Sequence, residues 1–373
     1  MSGYSFDHLE IEVPTLLLDR GKALRNIAKI AGRAQASGVR FRPHTKTHQS
    51  AEIAAWFRDF GVSAITVSSL DMAAYFAAAG WNDITVAFPV NYREIDKINT
   101  LSERIFLNLI VDSRETINFL DTKLAYPVRI WIKVDVGYGR VGVHWEKHEK
   151  IRALASRIDA SAKLQFIGLL AHAGHSYHAR SHEEIIGTYN ESLQRLWRIK
   201  EMLAGEGFER CEISVGDTPC CSVVERFEGI DEIRPGNFVF YDLKQSQIGS
   251  NTEEEIAVAV ACPVVGKYRD GNRVVLYGGG AHLGRDSLVE ADGGSVFGYL
   301  AAPAEQGWGA AVRAAPIVSL SQEHGIMRVD GELFEEIKIG GLLPILPVHA
   351  CMTAMMHGHY LTLDGELIER FNG

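Results

Sequence analysis

Residues 40–50 read RFRPHTKTHQS. A short run ends in proline, and two histidines and one lysine, Lys46, follow at once. The preceding run, Ala23 to Gly38, has apolar residues at helical spacing, and so does the following run, Ala51 to Phe60. A strand between two helices, with polar chemistry gathered at one end, is the repeating unit of a barrel or of a wound α/β sheet. The rest of the chain decides between the two.

Further candidate strands follow: AITV (64–67), DITVAF (83–88), FLNLIV (106–111), VRIWIKV (128–134), LQFIGLLA (164–171), CEISV (211–215) and EIRPGNFVFYD (232–242), after a first strand VRFRP (39–43). The segments between carry helical spacing, as in Leu193, Leu196, Ile199 and Leu203. Gly38, Gly61, Gly80 and Gly207 sit just past helical runs, where a left-handed cap is wanted. Eight strands alternating with helices over about 200 residues suit a (β/α)8 TIM barrel; an open doubly wound sheet shares the alternation. Polar residues gather after the strands: Pro43 to Lys46, Asp135 to Arg140, His172 to Tyr177, Gly216 to Pro219. In a barrel those points share one rim, where active sites lie, so the barrel is favoured.

Beyond about residue 255 the texture changes to short alternating runs broken by Gly, Asp and Asn, which reads as a β-rich domain. The early run IEVPTLLLD is surplus to eight strands and is expected to pair with that domain. The division is therefore a barrel over 15–250, with 1–14 and 251–373 forming the β-rich domain that carries any metal site.

The composition, 46% hydrophobic and 23% charged, is that of an ordinary globular protein. A net charge of −9 argues against nucleic acid or an anionic membrane as partner, and no apolar stretch is long enough to span a bilayer. The start, MSGYSFDHLEIEVP, lacks the basic and apolar blocks of a signal peptide. Five scattered cysteines form no disulfide framework, and a cytoplasmic location is expected.

Lys46 leads the candidates for chemistry. At the end of the first barrel strand it reaches the rim, and desolvation with the neighbouring cations Arg42 and His44 would favour the neutral, nucleophilic amine that Schiff-base formation needs. A lone lysine is more often an ordinary surface group; position and company single this one out. SVGDTP (214–219) and IRPGNFVFYD (233–242) place Gly216, Thr218 and Gly236 after the last two strands, the usual barrel phosphate site, although an ordinary helix cap or a structural Arg234 ion pair would read alike. In PVHACMTAMMH (347–357), His349 and Cys351 are two apart; in an extended segment both would point one way and could share a borderline ion such as Zn²⁺. Two ligands make half a site, and a buried cysteine beside a bonded histidine is the plain alternative. His357 and His359 are no better placed, and QEHG (322–325) is the best distant source of a further polar contact. HAGHSY (172–177) offers His175 and a Tyr177 able to stack on a flat cofactor, and DVGYGRVGV offers Arg140 for an anionic group.

With these motifs in place, the chain resembles the fold-type III pyridoxal-phosphate enzymes, the alanine racemase superfamily, and within it the D-serine dehydratase and D-threonine aldolase branch. PHTKTH, DVGYGRVG, HAGHSY, SVGDTP, RPGNFVFYD, QEHG and PVHAC carry the resemblance from residue 43 to 351. It implies Lys46 as the residue that holds pyridoxal 5'-phosphate and a cradle of Gly216, Thr218, Gly236 and Asn237. It also implies Arg234 near the pyridine nitrogen, His349 and Cys351 as metal ligands, and a homodimer. Zn²⁺ is the expected metal, with Mn²⁺ and Mg²⁺ as alternatives. Cys351 and HAGHSY tilt the reading towards a lyase that dehydrates a small D-β-hydroxy amino acid (D-serine or D-3-hydroxyaspartate) to a 2-oxo acid and ammonia. Lys46 would act as base. Retro-aldol cleavage, with a base such as His175 on the hydroxyl, uses the same parts. A non-catalytic pyridoxal-phosphate protein and a metal-dependent barrel hydrolase are the rivals from other classes.

Overall fold

The computed structural model describes Phe6, residues 8–290 and residues 293–371; the parts of the expected β-rich domain at 1–5, 7, 291–292 and 372–373 lie outside them. The chain forms two compact units, one of residues 28–236 and the other of the segment up to Ile27 together with the chain from Asn237 onwards.

The first unit is the barrel. Its strands are β1 (Arg40–Phe41), β2 (Ile65–Val67), β3 (Asp83–Pro89), β4 (Phe106–Val111), β5 (Val128–Asp135), β6 (Leu164–Ala171), β7 (Glu212–Val215) and β8 (Glu232–Ile233). Each pairs in parallel with its sequence neighbour from β2 to β8, and β8 returns to pair with β1. The ring closes between β1 and β2 through a parallel bridge from His44 to Thr66, with Thr66 N–H donating to the Pro43 carbonyl and Thr45 N–H to the Thr66 carbonyl. This is the (β/α)8 arrangement. Strands β1 and β8 are shorter than their sequence suggests. Pro43 and Pro235 have no N–H to give a ladder, so VRFRP keeps two strand residues and EIRPGNFVFYD leaves the sheet after Ile233, with a 3-10 turn at Asn237–Val239.

Helices enter where caps are supplied. Ser50, Ser69, Ser113 and Ser181 each accept the N–H of the residue three further on, at helices starting at Ala51, Leu70, Arg114 and His182. Gly61 closes the turn after Phe57–Phe60 at φ 76°, which a residue with Cβ rarely adopts.

Strand alternation layers the barrel interior. On β5, Arg129, Trp131 and Lys133 face the same way. Trp131 packs with Ile110 and Leu170 into an apolar plug. On the N-terminal side of that plug the charges are balanced: Arg42 bonds Glu232 (2.7 Å) and Asp83 (2.6 Å), while Arg129 bonds the second Asp83 oxygen at 3.0 Å. Asn108 also donates to Asp83 at 2.8 Å. Arg42, expected among the rim cations, therefore belongs to this buried ion-pair network.

The second unit is β-rich. Strands Val258–Tyr268, Arg273–Tyr277, His324–Arg328, Trp308–Leu320, Gly298–Pro303 and Leu342–Pro347 pair antiparallel in that order, and the last returns to the first, closing a ring. Thr15–Leu18 extends it by pairing antiparallel with Val258–Ala261 and parallel with His359–Thr362, so the surplus early strand does join this domain. The helices of this unit after residue 255 are single short turns, Gly280–Leu283, Gly331–Glu336 and Ala350–Met355.

Candidate functional site

The C-terminal ends of the barrel strands gather a positively charged group of residues. Lys46 follows β1 and is exposed rather than desolvated, and its N–H meets His44 Nδ1 at 3.4 Å. Burial, followed by the charges of Lys46, Arg234 and His172, holds the His44 imidazole well below its ordinary pKa. His172, at the end of β6, is held low in the same way by burial, with the charges of Arg140, Lys133 and Lys46 adding to it; its Nδ1 donates to the Gly216 carbonyl. These mutual influences put Lys46, His44, His172, Lys133, Arg140 and Arg234 in one electrostatic neighbourhood.

Arg234 follows β8 and is buried. Its Nε donates to Ser214 Oγ at 2.6 Å and its Nη2 to the carbonyls of Ala171 (2.7 Å) and Ser214 (3.2 Å), which leaves Nη1 without a partner among the described residues. Burial pushes its pKa down to about 10. Arg140 is exposed and lies 5.2 Å over the Tyr138 ring. The Tyr138 ring in turn fills a notch that exists because residue 174 is glycine: a Cβ there would come within 2.4 Å of it.

The SVGDTP turn has the character of a cradle. Asp217 caps the helix Thr218–Val223 by accepting the Cys220 N–H, and the same oxygen accepts Ser176 Oγ–H at 2.9 Å, tying this turn to HAGHSY. Burial raises the Asp217 pKa, which these bonds oppose. A Cβ on Gly216 would meet Arg234 at 2.8 Å, and one on Gly236 would meet the His44 carbonyl at 2.8 Å, so both glycines permit close backbone approach. Thr218 N–H points to Tyr177 Oη at 3.5 Å, and the buried Thr218 Oγ1 has no partner among the described residues. A buried hydroxyl without a partner, beside a tight turn, fits the phosphate of pyridoxal phosphate.

His175 shares its motif with His172 but answers to other charges. The charges that act on it are those of Asp217, Arg195, Glu191 and Asp135, and burial lowers its pKa. Both its ring nitrogens are buried without partners among the described residues. Lys133 was not singled out in the sequence. It is 5% exposed, its Nζ donates to the Val134 carbonyl at 3.0 Å, and burial with Arg234 and Arg140 pushes its pKa down to about 7. One lysine in the strand VRIWIKV carries no signal of its own; only its inward parity, shared with Trp131, could have found it.

The β-rich unit holds the other candidates. His349 has extended backbone and starts the helix Ala350–Met355, so Cys351 lies in a first helical turn rather than in the extended segment expected. The two side chains still meet. Burial would lower the His349 pKa, but hydrogen bonds to Asp286 and Cys351 and the charges of Cys351 and Asp242 raise it to about 11. His349 Nδ1 lies 3.3 Å from Asp286 Oδ2. Asn237, expected in the phosphate cradle, gives its amide to Asp242 Oδ2 at 2.7 Å and to Cys351 Sγ at 3.5 Å, and its Oδ1 is buried without a partner among the described residues. Asp242 also accepts the Ala350 N–H at 2.9 Å, fixing the start of that helix. Within QEHG, Glu323 lies 3.6 Å from His282, whose carbonyl bonds His357 Nε2 at 3.0 Å. No group of three or more His, Cys, Asp and Glu among the described residues is arranged to hold a metal. The imidazole–thiol pair of His349 and Cys351, backed by Asp286, is a donor set suited to a borderline divalent ion.

A lysine at the mouth of a (β/α)8 barrel, a tight turn with a buried hydroxyl after its last strands and a β-rich second unit are the features that the comparison with known enzymes takes up. The chain belongs to the alanine racemase family: residues 18–244 match the alanine racemase N-terminal domain, and residues 257–363 match a putative serine dehydratase domain. It is 32% identical to D-threo-3-hydroxyaspartate dehydratase of Delftia sp. (strain HT23), covering 98% of each chain. The solved structure of that enzyme superposes with a TM-score of 0.90 at 29% identity over 100% of both chains, and a mutant of it is described in a metal-free form. D-Serine dehydratase of Dictyostelium discoideum is 27% identical over 97% of this chain and 96% of its own. D-Threonine aldolase of Arthrobacter sp is 23% identical over 96% and 91%.

Proposed function

We propose that this protein is a pyridoxal-phosphate- and divalent-metal-dependent lyase that eliminates water from a D-β-hydroxy amino acid, the released enamine then taking up water to give a 2-oxo acid and ammonia. The observation that carries the reading is the rim itself: one exposed lysine amid cations and low-pKa imidazoles, beside a buried Thr218 hydroxyl awaiting a partner.

Lys46 holds the cofactor and moves the α-proton. Gly216, Thr218 and Gly236 would receive its phosphate, Tyr177 would contact its ring, and Arg234 would serve its nitrogen. Arg140, held over Tyr138, orients the substrate carboxylate. His349 and Cys351 bind the metal, Zn²⁺ in first place, and Asn237 steadies the Cys351 sulfur. His175 remains the candidate for a base on the hydroxyl, the role that would favour aldol cleavage. When bound, pyridoxal phosphate withdraws electrons from the substrate's α-carbon, and the metal makes the β-hydroxyl a better leaving group. The chain's own part is to hold one amine ready, keep His44 and His172 neutral beside it, and cradle an anion.

We read the metal unit as the β-rich domain and the cofactor unit as the barrel. The exposed Met352, Met355 and Met356 support a homodimer. The absence of any disulfide among the five cysteines fits a cytoplasmic setting. Incubation with D-serine, D-threonine and D-3-hydroxyaspartate, each with and without Zn²⁺, tests the function. Oxo acid and ammonia are expected; glycine with an aldehyde would transfer the assignment to the aldolase reaction, and no turnover with bound cofactor would leave a carrier.

A further inference from the structure

We propose that Asp286 is a positioning residue for a divalent cation at His349 and Cys351: by accepting the Nδ1–H of His349 it leaves Nε2 as the nitrogen that binds the ion. This rests on the metal dependence proposed above. One aspartate in GRDSL (284–288) carries no signal in the sequence, and close backbone contacts are what deliver it. Gly280 and Ala281 donate their N–H groups to the carbonyls of Ser321 and Gln322, and a Cβ on Gly279 would come 2.5 Å from the Gln322 carbonyl. The one-turn helix Gly280–Leu283 then ends at Gly284, whose φ of 81° a residue with Cβ rarely adopts. Thr353 Oγ1 donates to the Leu283 carbonyl at 2.7 Å, in the interior, and fastens this turn to the helix Ala350–Met355. Two segments locked to each other bring Asp286 Oδ2 to 3.3 Å from His349 Nδ1.

The chemistry of the ring gives this contact its consequence. A neutral imidazole that donates N–H from one nitrogen keeps its lone pair on the other. Asp286 forms no other ion pair among the described residues, so its carboxylate is committed to this histidine. No three His, Cys, Asp and Glu side chains among the described residues are arranged to hold an ion, which places Asp286 behind the histidine rather than beside it as a third ligand. The thiol has its own support in the Asn237 amide, 3.5 Å from Cys351 Sγ. Each protein ligand is therefore oriented by one polar partner, and a site with two such ligands depends on both. A carboxylate behind a metal-binding histidine typically accounts for about 10- to 100-fold in affinity. If Asp286 merely pinned the turn at Gly284, its loss would leave the affinity of the folded protein unchanged.

The test measures Zn²⁺ affinity of the holoenzyme and its Asp286 variants by competition with a chelating dye, with fold checked by circular dichroism and cofactor by absorbance. Co²⁺ substitution is followed in parallel through the long-wavelength d–d bands of a cobalt–thiolate site, clear of the cofactor. Asp286→Ala is expected to weaken Zn²⁺ binding by about 10- to 100-fold with the cofactor retained. Asp286→Asn keeps an oxygen able to accept the Nδ1–H and should lose less, and Asp286→Glu should recover part of the loss. A Kd for Asp286→Ala within about threefold of wild type overturns the proposal. The wild type supplies a second measurement that needs no variant. In Cd²⁺-loaded protein with isotopically labelled histidine, nuclear magnetic resonance should show the metal coupled to Nε2 of His349; coupling to Nδ1 overturns the proposal even if Asp286→Ala does not fold. A wild type that takes up neither Zn²⁺ nor Co²⁺ overturns the metal dependence itself and this role with it. One that binds the ion, beside a variant that binds it equally well, overturns this role alone.

Discussion

The two ends of β5 carry the same kind of side chain in opposite circumstances. Arg129, on the N-terminal side of the Trp131 plug, bonds Asp83 and lies 4.5 Å over the Phe106 ring. Lys133, on the other side, bonds one backbone carbonyl and feels Asp135 and Asp112 without an ion pair among the described residues. Arg42, Arg129, Asp83 and Glu232 satisfy one another, whereas Lys46, Lys133, Arg140 and Arg234 form no ion pair among the described residues. A closed network of charges specifies the fold; an open one specifies what must arrive from outside. In a chain of net charge −9, concentrating cations at one mouth is a statement about ligands.

The comparison breaks most severely at Lys46. Lys46→Ala should lower activity by at least about 10⁴-fold, the range for losing a covalent and acid–base group together, and should abolish the borohydride-trappable adduct. Residual turnover near wild type would remove the rim from the mechanism. At the other end, Glu232→Gln leaves Arg42 half-paired in the interior. The expected cost is about 3–5 kcal/mol in urea unfolding, with cofactor binding retained by the folded fraction. Cys351→Ala, or a chelator, should reduce elimination by about 100-fold or more while the cofactor absorbance persists. Thr218→Val removes one buried hydroxyl and should weaken cofactor binding by about tenfold, read from reconstitution of the apo protein.

The smallest effect concerns pH. Burial would raise the Asp83 carboxyl, but Arg42 with its hydrogen bonds holds it below the ordinary value. A depressed folded pKa contributes stability above the unfolded value, about 4, and loses it as pH falls further. Urea midpoints should therefore decline below about pH 4, and Asp83→Asn should flatten that decline.

Much of the fold is legible in the sequence. Strand runs of β-branched and aromatic residues with glycine-capped helices between them marked the barrel, and the ends of those strands marked the rim. What stayed hidden depends on pairing across long sequence separations. Arg42 lies beside His44 in sequence, yet Glu232 and Asp83 draw its guanidinium to the other end. Asn237 continues the RPGN motif, yet its amide turns to Asp242 and Cys351. His172 and His175 are indistinguishable as letters in HAGHSY; only the path of the chain past β6 gives the first ring the Gly216 carbonyl and leaves the second's nitrogens buried without partners among the described residues. Proline explained the shortened strands afterwards, and its missing N–H could have been counted in advance.

The seam between β1 and β2 has a consequence for how this protein can vary. Thr45, next to Lys46, completes the barrel's last set of backbone bonds by donating to Thr66. Any insertion or deletion between Phe41 and Lys46 would therefore shift the amine and unzip the cylinder in one stroke. Drift in that segment is confined to side-chain replacement, and hydrogen exchange at the Thr45 and Thr66 amides would sense cofactor loss before the rest of the sheet does.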